Sequence, residues 1–132
     1  MLVLICGLPN AGKTTYSLQY DNVVHVDEVV AQKRSLTDTL LDMIREADKE
    51  SVDLCIEGVF PMANIRKMFR KEYSGKAKCI WLDTPYEECI KRENRGRAQL
   101  LIENCQKIFE PPTYDEGWDE IIIIGGDDNG NI

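Results

Sequence analysis

The sequence has no apolar run long enough to cross a membrane, and it contains a single histidine among its 132 residues. A membrane-spanning helix needs roughly 18 consecutive apolar residues, so we predict no membrane partner. The first residues, Met1–Cys6, lack the basic flank of a signal peptide and run directly into a glycine-containing loop. We therefore expect a cytoplasmic protein.

Cysteines at metal-ligand spacing are also missing. The five cysteines include no C-x-x-C pair, and no histidine cluster accompanies them. Cys6, Cys55 and Cys79 lie within apolar runs, where a free cysteine behaves as a small hydrophobic residue. The pattern disfavours a zinc site or a disulfide framework, and it is typical of a reducing compartment.

Acidic residues outnumber basic ones by 23 to 16, which gives a net charge of −7. An acidic protein is a poor partner for a polyanion such as nucleic acid. The excess lies at one end of the chain, however, because residues 110–132 contain seven acids and no base. Ten of the 16 bases lie between Arg66 and Arg97, so a local basic face is compatible with the acidic total.

Apolar runs that are typical of strands alternate with helical patterns. The hydrophobic fraction of 43% is too high for a disordered chain, and the length fits one domain. Several runs are apolar on both faces, as in a parallel sheet covered by helices. We predict an α/β fold, a parallel sheet with helices on both faces. The predicted strands are Leu2–Cys6, Val23–Val26, Val52–Ile56, Ala77–Leu82 and Glu120–Ile124.

Helical patterns fill the gaps between these strands. Between the second and third strands, apolar residues recur at helical spacing after Ser35, a candidate N-cap. The segment Thr84–Glu87 predicts a capping box with proline at the first helical position. Shorter helices are predicted at Asn64–Tyr73 and Ala98–Phe109. We assign residues 1–125 to one domain and expect 126–132 to form a flexible acidic tail.

The segment Gly7–Thr14 has the pattern G-x-x-x-x-G-K-T, which is typical of loops that bind polyphosphates. It follows a buried strand and opens a helix, so its backbone N–H groups are expected to surround an anion. We expect Lys13 to neutralise the β and γ phosphates of ATP, and the Thr14 hydroxyl to bind Mg²⁺. The predicted nucleotide-binding residues are Gly7, Pro9, Asn10, Ala11, Gly12, Lys13, Thr14 and Thr15.

Carboxylates close the second and third predicted strands, at Asp27 and Glu57. Ligands of open parallel sheets bind at the carboxyl ends of strands. A kinase needs a base beside the acceptor hydroxyl, in line with the γ-phosphate, and we predict Asp27 for this role. We predict that Glu57 supports catalysis by holding the magnesium shell or a catalytic water. His25 shares a predicted strand face with Asp27, and we interpret it as a strand residue.

A basic segment at residues 91–97 follows the helix that starts near Pro85. Phosphoryl transfer spreads negative charge over the γ-phosphate oxygens, and arginines on a mobile lid neutralise this charge. We predict that segment 91–97 is such a lid, with catalytic candidates Arg92, Arg95 and Arg97. A second basic cluster is predicted to be mainly a solvated face; it comprises Arg66, Lys67, Arg70, Lys71, Lys76 and Lys78.

Together these features resemble the P-loop kinases of the polynucleotide 5′-hydroxyl kinase type. The resemblance extends from Leu2 to about Ile124. It implies a five-stranded parallel core with the phosphate loop after the first strand, Asp27 as the base and lid arginines that contact ATP. The segments that carry it are Gly7–Thr14, Val24–Asp27, Leu54–Glu57 and Cys79–Arg97.

The chain departs from that family pattern at two positions near the predicted acceptor. Val30 stands where some of these kinases have an arginine that helps to hold the substrate phosphate. Glu57 stands where an aspartate with polar neighbours is common, and it is followed by Gly58. These departures leave the predicted phosphate transfer from ATP intact and concern the polynucleotide acceptor.

We therefore predict a single-domain kinase that uses ATP and Mg²⁺ to phosphorylate a hydroxyl. Its leading predicted acceptor is the 5′-hydroxyl of a polynucleotide or nucleotide, and the basic cluster would favour nucleic acid if it flanks the acceptor cleft. A small-metabolite kinase acting on a sugar, nucleoside or antibiotic is the first alternative, favoured by the acidic net charge. The second alternative is a nucleotide-binding regulatory module with little turnover, against which the intact Lys13 and Asp27 argue.

Overall fold

The computed structural model describes residues 1–29, 34–93 and 99–125. Within these residues the strands are β1 (Leu2–Gly7), β2 (Val23–His25), β3 (Leu54–Glu57), β4 (Ala77–Asp83) and β5 (Glu120–Gly125). They pair in the order β2-β3-β1-β4-β5, and every pairing is parallel. The predicted five-stranded parallel sheet is confirmed, with strand boundaries that differ from the predicted ones by no more than two residues.

Helices cover both faces of this sheet, as predicted. Successive residues of a strand point to opposite faces, and β1 accordingly divides its side chains between two cores. The helices are α1 (Lys13–Ser17), α2 (Leu36–Lys49), α3 (Ala63–Lys71), α4 (Tyr86–Lys91) and α5 (Gln99–Ile108). Leu2 and Leu4 pack in a core with α2 and α3, whereas Val3 and Ile5 pack in a core with α4 and α5. No helix in the described ranges has the length and apolarity needed to cross a membrane.

Two local predictions at the ends of strands were wrong. Val26 does not extend β2 but begins a 3-10 turn, Val26–Glu28, that carries Asp27. Strand alternation therefore does not set the direction of the Asp27 side chain. The Thr84 side chain does not cap α4, because its hydroxyl donates to the carbonyl oxygen of Ala11 at 2.8 Å. Thr84 thus joins the end of β4 to the phosphate loop.

The basic cluster at residues 66–78 is only in part the solvated face that we predicted, because Lys67, Lys71 and Lys76 are exposed but Arg66 and Arg70 are not. Arg66 is fully buried and forms an ion pair with Glu116. Arg70 donates to the carbonyl oxygen of Gly117 and to the carboxylate of Asp119. These acidic and carbonyl partners lie far along the chain, in the segment before β5, so helical spacing within α3 alone did not predict them.

The predicted N-cap of α2, Ser35, is present in the structure and can be tested. The hydroxyl oxygen of Ser35 accepts the backbone N–H of Asp38 at 3.1 Å, and this bond pairs an N–H that the first turn would leave unsatisfied. We expect Ser35→Ala to lower the free energy of unfolding by about 1 kcal/mol, measured by urea denaturation. Thr37→Ala, in the first turn of the same helix, serves as control and should leave that free energy nearly unchanged. Equal losses in the two variants would contradict the capping role.

Candidate active site

The phosphate loop joins β1 to α1 at the carboxyl edge of the sheet. Its backbone geometry requires glycine at two positions, Gly7 and Gly12. Gly12 has a φ of 103°, in the left-handed region that favours glycine. At Gly7 a Cβ atom would lie 2.8 Å from the carbonyl oxygen of Leu82. Only a residue without a side chain therefore lets the loop leave the sheet so close to β4.

Lys13 is buried beneath this loop. Its Nζ donates to the carbonyl oxygens of Gly7 at 3.1 Å and Leu8 at 2.7 Å. Burial lowers the pKa of Lys13, and the nearby carboxylate of Glu57 opposes part of this effect. The ammonium group thus lies against the backbone of the loop that the sequence predicts to bind phosphate.

Glu57 is a buried carboxylate at the end of β3, and two polar groups share one of its oxygens. The hydroxyl of Thr14 donates to Glu57 Oε2 at 3.2 Å, and Nδ1 of His25 lies 2.7 Å from the same oxygen. The parallel register pairs His25 directly with Glu57. The hydrogen bond to Glu57 raises the pKa of His25, although burial of the imidazole opposes it. The sequence interpretation missed this contact, because only strand pairing reveals it.

A hydroxyl and a carboxylate are oxygen ligands of the kind that Mg²⁺ prefers in proteins. Thr14 and Glu57 are already within hydrogen-bonding distance of each other, so one cation could contact both side chains. The residues present therefore fit the predicted metal, with His25 orienting the carboxylate from its other side. The described residues contain no cluster of three or more histidine, cysteine and acidic ligands, so a metal here would keep several non-protein ligands.

A cavity of about 670 Å³ opens beside the loop and brings most of the predicted site residues together. Asp27 lines it from the 3-10 turn after β2, and its side chain is exposed. Two predicted nucleotide-binding residues, Gly7 and Ala11, are instead buried and do not line the cavity. The predicted residues that line it are Pro9, Asn10, Gly12, Lys13, Thr14, Thr15, Asp27, Glu57 and Arg92.

The rest of the cavity wall was not predicted, and it is largely apolar. Gly58 and Val59 follow β3, and Leu36 begins α2. Leu101 belongs to α5 and is 55% exposed, a high value for a leucine. The glycine directly after Glu57 was the signal in the sequence that could have identified the Gly58–Val59 wall.

Arg92 follows α4 and contacts the phosphate loop directly. Its Nη1 donates to the carbonyl oxygen of Asn10 at 3.1 Å, and its Nε donates to Glu88 at 3.0 Å. The other two predicted lid arginines, Arg95 and Arg97, lie outside the described residues, as do Val30 and the predicted tail 126–132.

None of the described basic residues between 66 and 78 lines the cavity, so this cluster does not flank the cleft.

No protein-family model matches the chain, and no curated protein matches it. Among solved structures it is similar to a sugar kinase from Janibacter sp. HTCC2649, with a TM-score of 0.72 and 15% identity over 94% of this chain and 84% of that one. The fold is that of the small P-loop kinases. A gluconokinase from Sinorhizobium meliloti has a TM-score of 0.67 and 12% identity over 93% and 81% of the two chains. A shikimate kinase from Aquifex aeolicus has a TM-score of 0.51 and 14% identity over 93% and 85%.

At identities of 12–15% these likenesses show only the fold, which is that of P-loop kinases. The resemblance to kinases of the polynucleotide 5′-hydroxyl type therefore stays a prediction. The three proteins are named for small metabolites. Each likeness covers at least 93% of this chain.

The contact between His25 and Glu57 predicts a pH dependence of stability. A raised pKa in the folded state means that His25 stabilises the fold fully below its unfolded pKa of about 6.5. This contribution is lost as the pH rises through the higher folded pKa. We expect the free energy of unfolding of the wild type to fall, relative to that of His25→Asn, as the pH rises from about 6.5 through the raised folded pKa.

Urea denaturation at several pH values measures this difference. Glu57→Gln is the matched control, because it removes the charged partner that raises the pKa of His25. In this variant the free energy of unfolding should therefore change less with pH. If the free energies of unfolding of the wild type and of His25→Asn differ by a constant amount across this pH range, the interpretation is contradicted.

Proposed function

We propose that the protein is an ATP-dependent kinase that transfers the γ-phosphate to a hydroxyl of a small metabolite. One observation carries the proposal. A phosphate loop with a buried Lys13, an adjoining Thr14–Glu57 pair and the carboxylate of Asp27 all border one cavity. The P-loop kinase fold is consistent with the same chemistry.

ATP would bind with its phosphates in the loop between β1 and α1. Backbone N–H groups at the start of α1 would surround the phosphates. The ammonium of Lys13 now contacts two carbonyl oxygens of the loop, and a phosphate is a stronger partner for it because that bond joins opposite charges. Mg²⁺, bound by Thr14 with Glu57 beside it, would neutralise charge on the β and γ phosphates.

Asp27 would act as the general base in the transfer. Its exposed carboxylate accepts the proton of the acceptor hydroxyl while the hydroxyl oxygen forms a bond to the γ-phosphorus. The bond from that phosphorus to the β–γ bridging oxygen breaks, and ADP leaves. Arg92 already contacts the loop at Asn10 and would neutralise charge on the transferred group. Arg95 and Arg97 are proposed to contribute from the rest of the lid.

A small metabolite is a better acceptor than a polynucleotide for two reasons. The basic cluster at residues 66–78 does not line the cavity, and two of its members, the buried Arg66 and the half-buried Arg70, already form ion pairs with acidic side chains. The compared structures also include kinases named for sugar, gluconate and shikimate. A polynucleotide 5′-hydroxyl remains the competing acceptor, supported by the sequence resemblance.

The central experiment is transfer of labelled γ-phosphate from ATP to a panel of sugars, polyols, nucleosides and oligonucleotides. We expect Asp27→Asn to lower the transfer rate by about a hundredfold or more, because the general base is lost, while ATP affinity measured by calorimetry changes little. Lys13→Ala should abolish ATP binding.

Glu28→Gln is the matched control for the Asp27 variant. Glu28 lies on the same 3-10 turn and is exposed, but it does not line the cavity, so its variant should retain full transfer. Unchanged turnover in Asp27→Asn would remove Asp27 from the mechanism. ATP binding without transfer to any acceptor of the panel would favour the regulatory module instead.

The dependence on salt separates the two acceptor classes. Contacts to nucleic acid phosphates release counterions, so binding of an oligonucleotide weakens steeply as salt rises. We expect kcat/KM for the best acceptor to change less than about threefold between 50 and 200 mM salt, because a neutral metabolite releases no counterions. Measurement with ATP held at saturation excludes salt effects on the nucleotide. A loss of about a hundredfold or more over that range would favour the polynucleotide acceptor.

A further inference from the structure

Arg66 is a buried charged residue for which the proposed mechanism has no use. It belongs to α3 and is fully buried, yet it does not line the cavity. Its Nε and Nη2 each donate to the carboxylate of Glu116 at 2.9 Å. The indole N–H of Trp118 donates to the same carboxylate at 2.9 Å. A bidentate ion pair of this kind fixes the position of the guanidinium and compensates its charge.

The guanidinium also binds the backbone of two distant segments. Its Nη1 donates to the carbonyl oxygen of Phe60 at 2.7 Å, and its Nη2 donates to that of Glu110 at 2.6 Å. Arg66 therefore connects the turn after β3 with the segment that leads to β5. A buried ion pair alone is weak support for a stability role, because desolvation offsets its attraction. Arg66 differs from a simple buried ion pair because it also donates to the backbone carbonyl oxygen of Phe60.

The turn at residues 58–60 is held in an unfavourable conformation. Phe60 has a φ of 42°, which is unusual for a residue with a side chain. A Cβ on Gly58 would lie 2.9 Å from the Phe60 ring and 3.0 Å from Val26. Such strain persists only where the surroundings over-determine the backbone. The Phe60 carbonyl bond to Arg66 and the edge-on contact of the Phe60 and Phe69 rings, with centroids 5.4 Å apart, supply that constraint.

This turn adjoins the predicted phosphate and metal site on two sides. Glu57, which contacts Thr14, directly precedes Gly58. The carbonyl oxygen of Val59 accepts the N–H of Gly7, the first residue of the phosphate loop, at 3.2 Å. Gly58 and Val59 also form part of the cavity wall. A shift of the Phe60 backbone would therefore be transmitted to Glu57 and to Gly7.

We propose that Arg66 is a positioning residue of the nucleotide site. By holding the Phe60 carbonyl, it fixes the turn at 58–60, and through that turn it sets the positions of the Glu57 carboxylate and the Gly7 N–H. Glu116 and Trp118 keep the guanidinium in place. The inference rests on the proposed function, because it assigns Arg66 to the same ATP site.

The test compares Arg66→Lys with Arg70→Lys. Arg70 lies on the same helix and binds the same downstream segment, through Gly117 and Asp119, but it has no bond to the turn at 58–60. Both variants keep the charge and should lose stability. We expect the Kd for ATP with Mg²⁺ to rise about tenfold in Arg66→Lys, a size typical of mutations within coupling networks. The Arg70→Lys value should stay within about twofold of wild type.

Calorimetry should be performed at a temperature where circular dichroism shows each variant fully folded, so that a loss of stability alone does not change the Kd. If Arg66→Lys does not fold, the double variant Arg66→Gln with Glu116→Gln replaces it, since it leaves no uncompensated buried charge. An unchanged Kd for the Arg66 variant, or an equal rise in the Arg70 variant, would overturn the proposal.

Amide hydrogen exchange separates this inference from the proposed function. The Gly7 N–H should exchange faster in Arg66→Lys than in Arg70→Lys, because its bond to Val59 is loosened. This readout does not require ATP. A wild type that fails to bind ATP would refute the proposed function, whereas equal exchange rates at Gly7 in the two variants would refute the positioning role.

Discussion

The carboxylate of Glu57 must be buried at the carboxyl edge of the sheet and still find polar partners. Burying an ionised group is costly unless hydrogen bonds and opposite charges compensate it. Thr14 on α1 and His25 on β2 supply the hydrogen bonds, and the ammonium of Lys13 supplies nearby positive charge. Two elements, α1 and β2, are thereby tied to one carboxyl group at the end of β3. The arrangement that satisfies Glu57 also assembles the residues of the proposed phosphate and metal site.

Buried polar groups and apolar packing do different work in this molecule. Apolar side chains fill the two cores and fix which face each helix covers, because burial of apolar area is not directional. The polar contacts fix the loops at the carboxyl edge, where direction matters. Arg66 does this for the turn after β3, and Thr84 does it for the junction between β4 and the phosphate loop.

The basic residues of α3 illustrate how tertiary contacts alter a functional interpretation. A cluster of positive charge in a sequence is typical of an anion-binding surface. Here Arg66 and Arg70 bind acidic side chains and carbonyl oxygens of the segment before β5, so much of that charge is compensated within the protein. The cavity is lined by the acids Asp27, Glu57 and Glu93, by the bases Lys13 and Arg92 and by an apolar wall, but by no basic residue of α3. A small acceptor, rather than a polyanion, is consistent with this distribution.

The sequence was enough to predict the strands, the helices and the phosphate loop, because apolar periodicity and the spacing of glycines are local properties of a chain. It also indicated Asp27 and Glu57, since acids that follow apolar strands must meet at one edge of a parallel sheet. Three features became visible only in the folded protein: His25 faces Glu57, Asp27 lies on a 3-10 turn, and Arg66 is buried against Glu116. The contacts of His25 and Arg66 join residues 32 and 50 positions apart, which the three-dimensional packing brings together and no local pattern encodes.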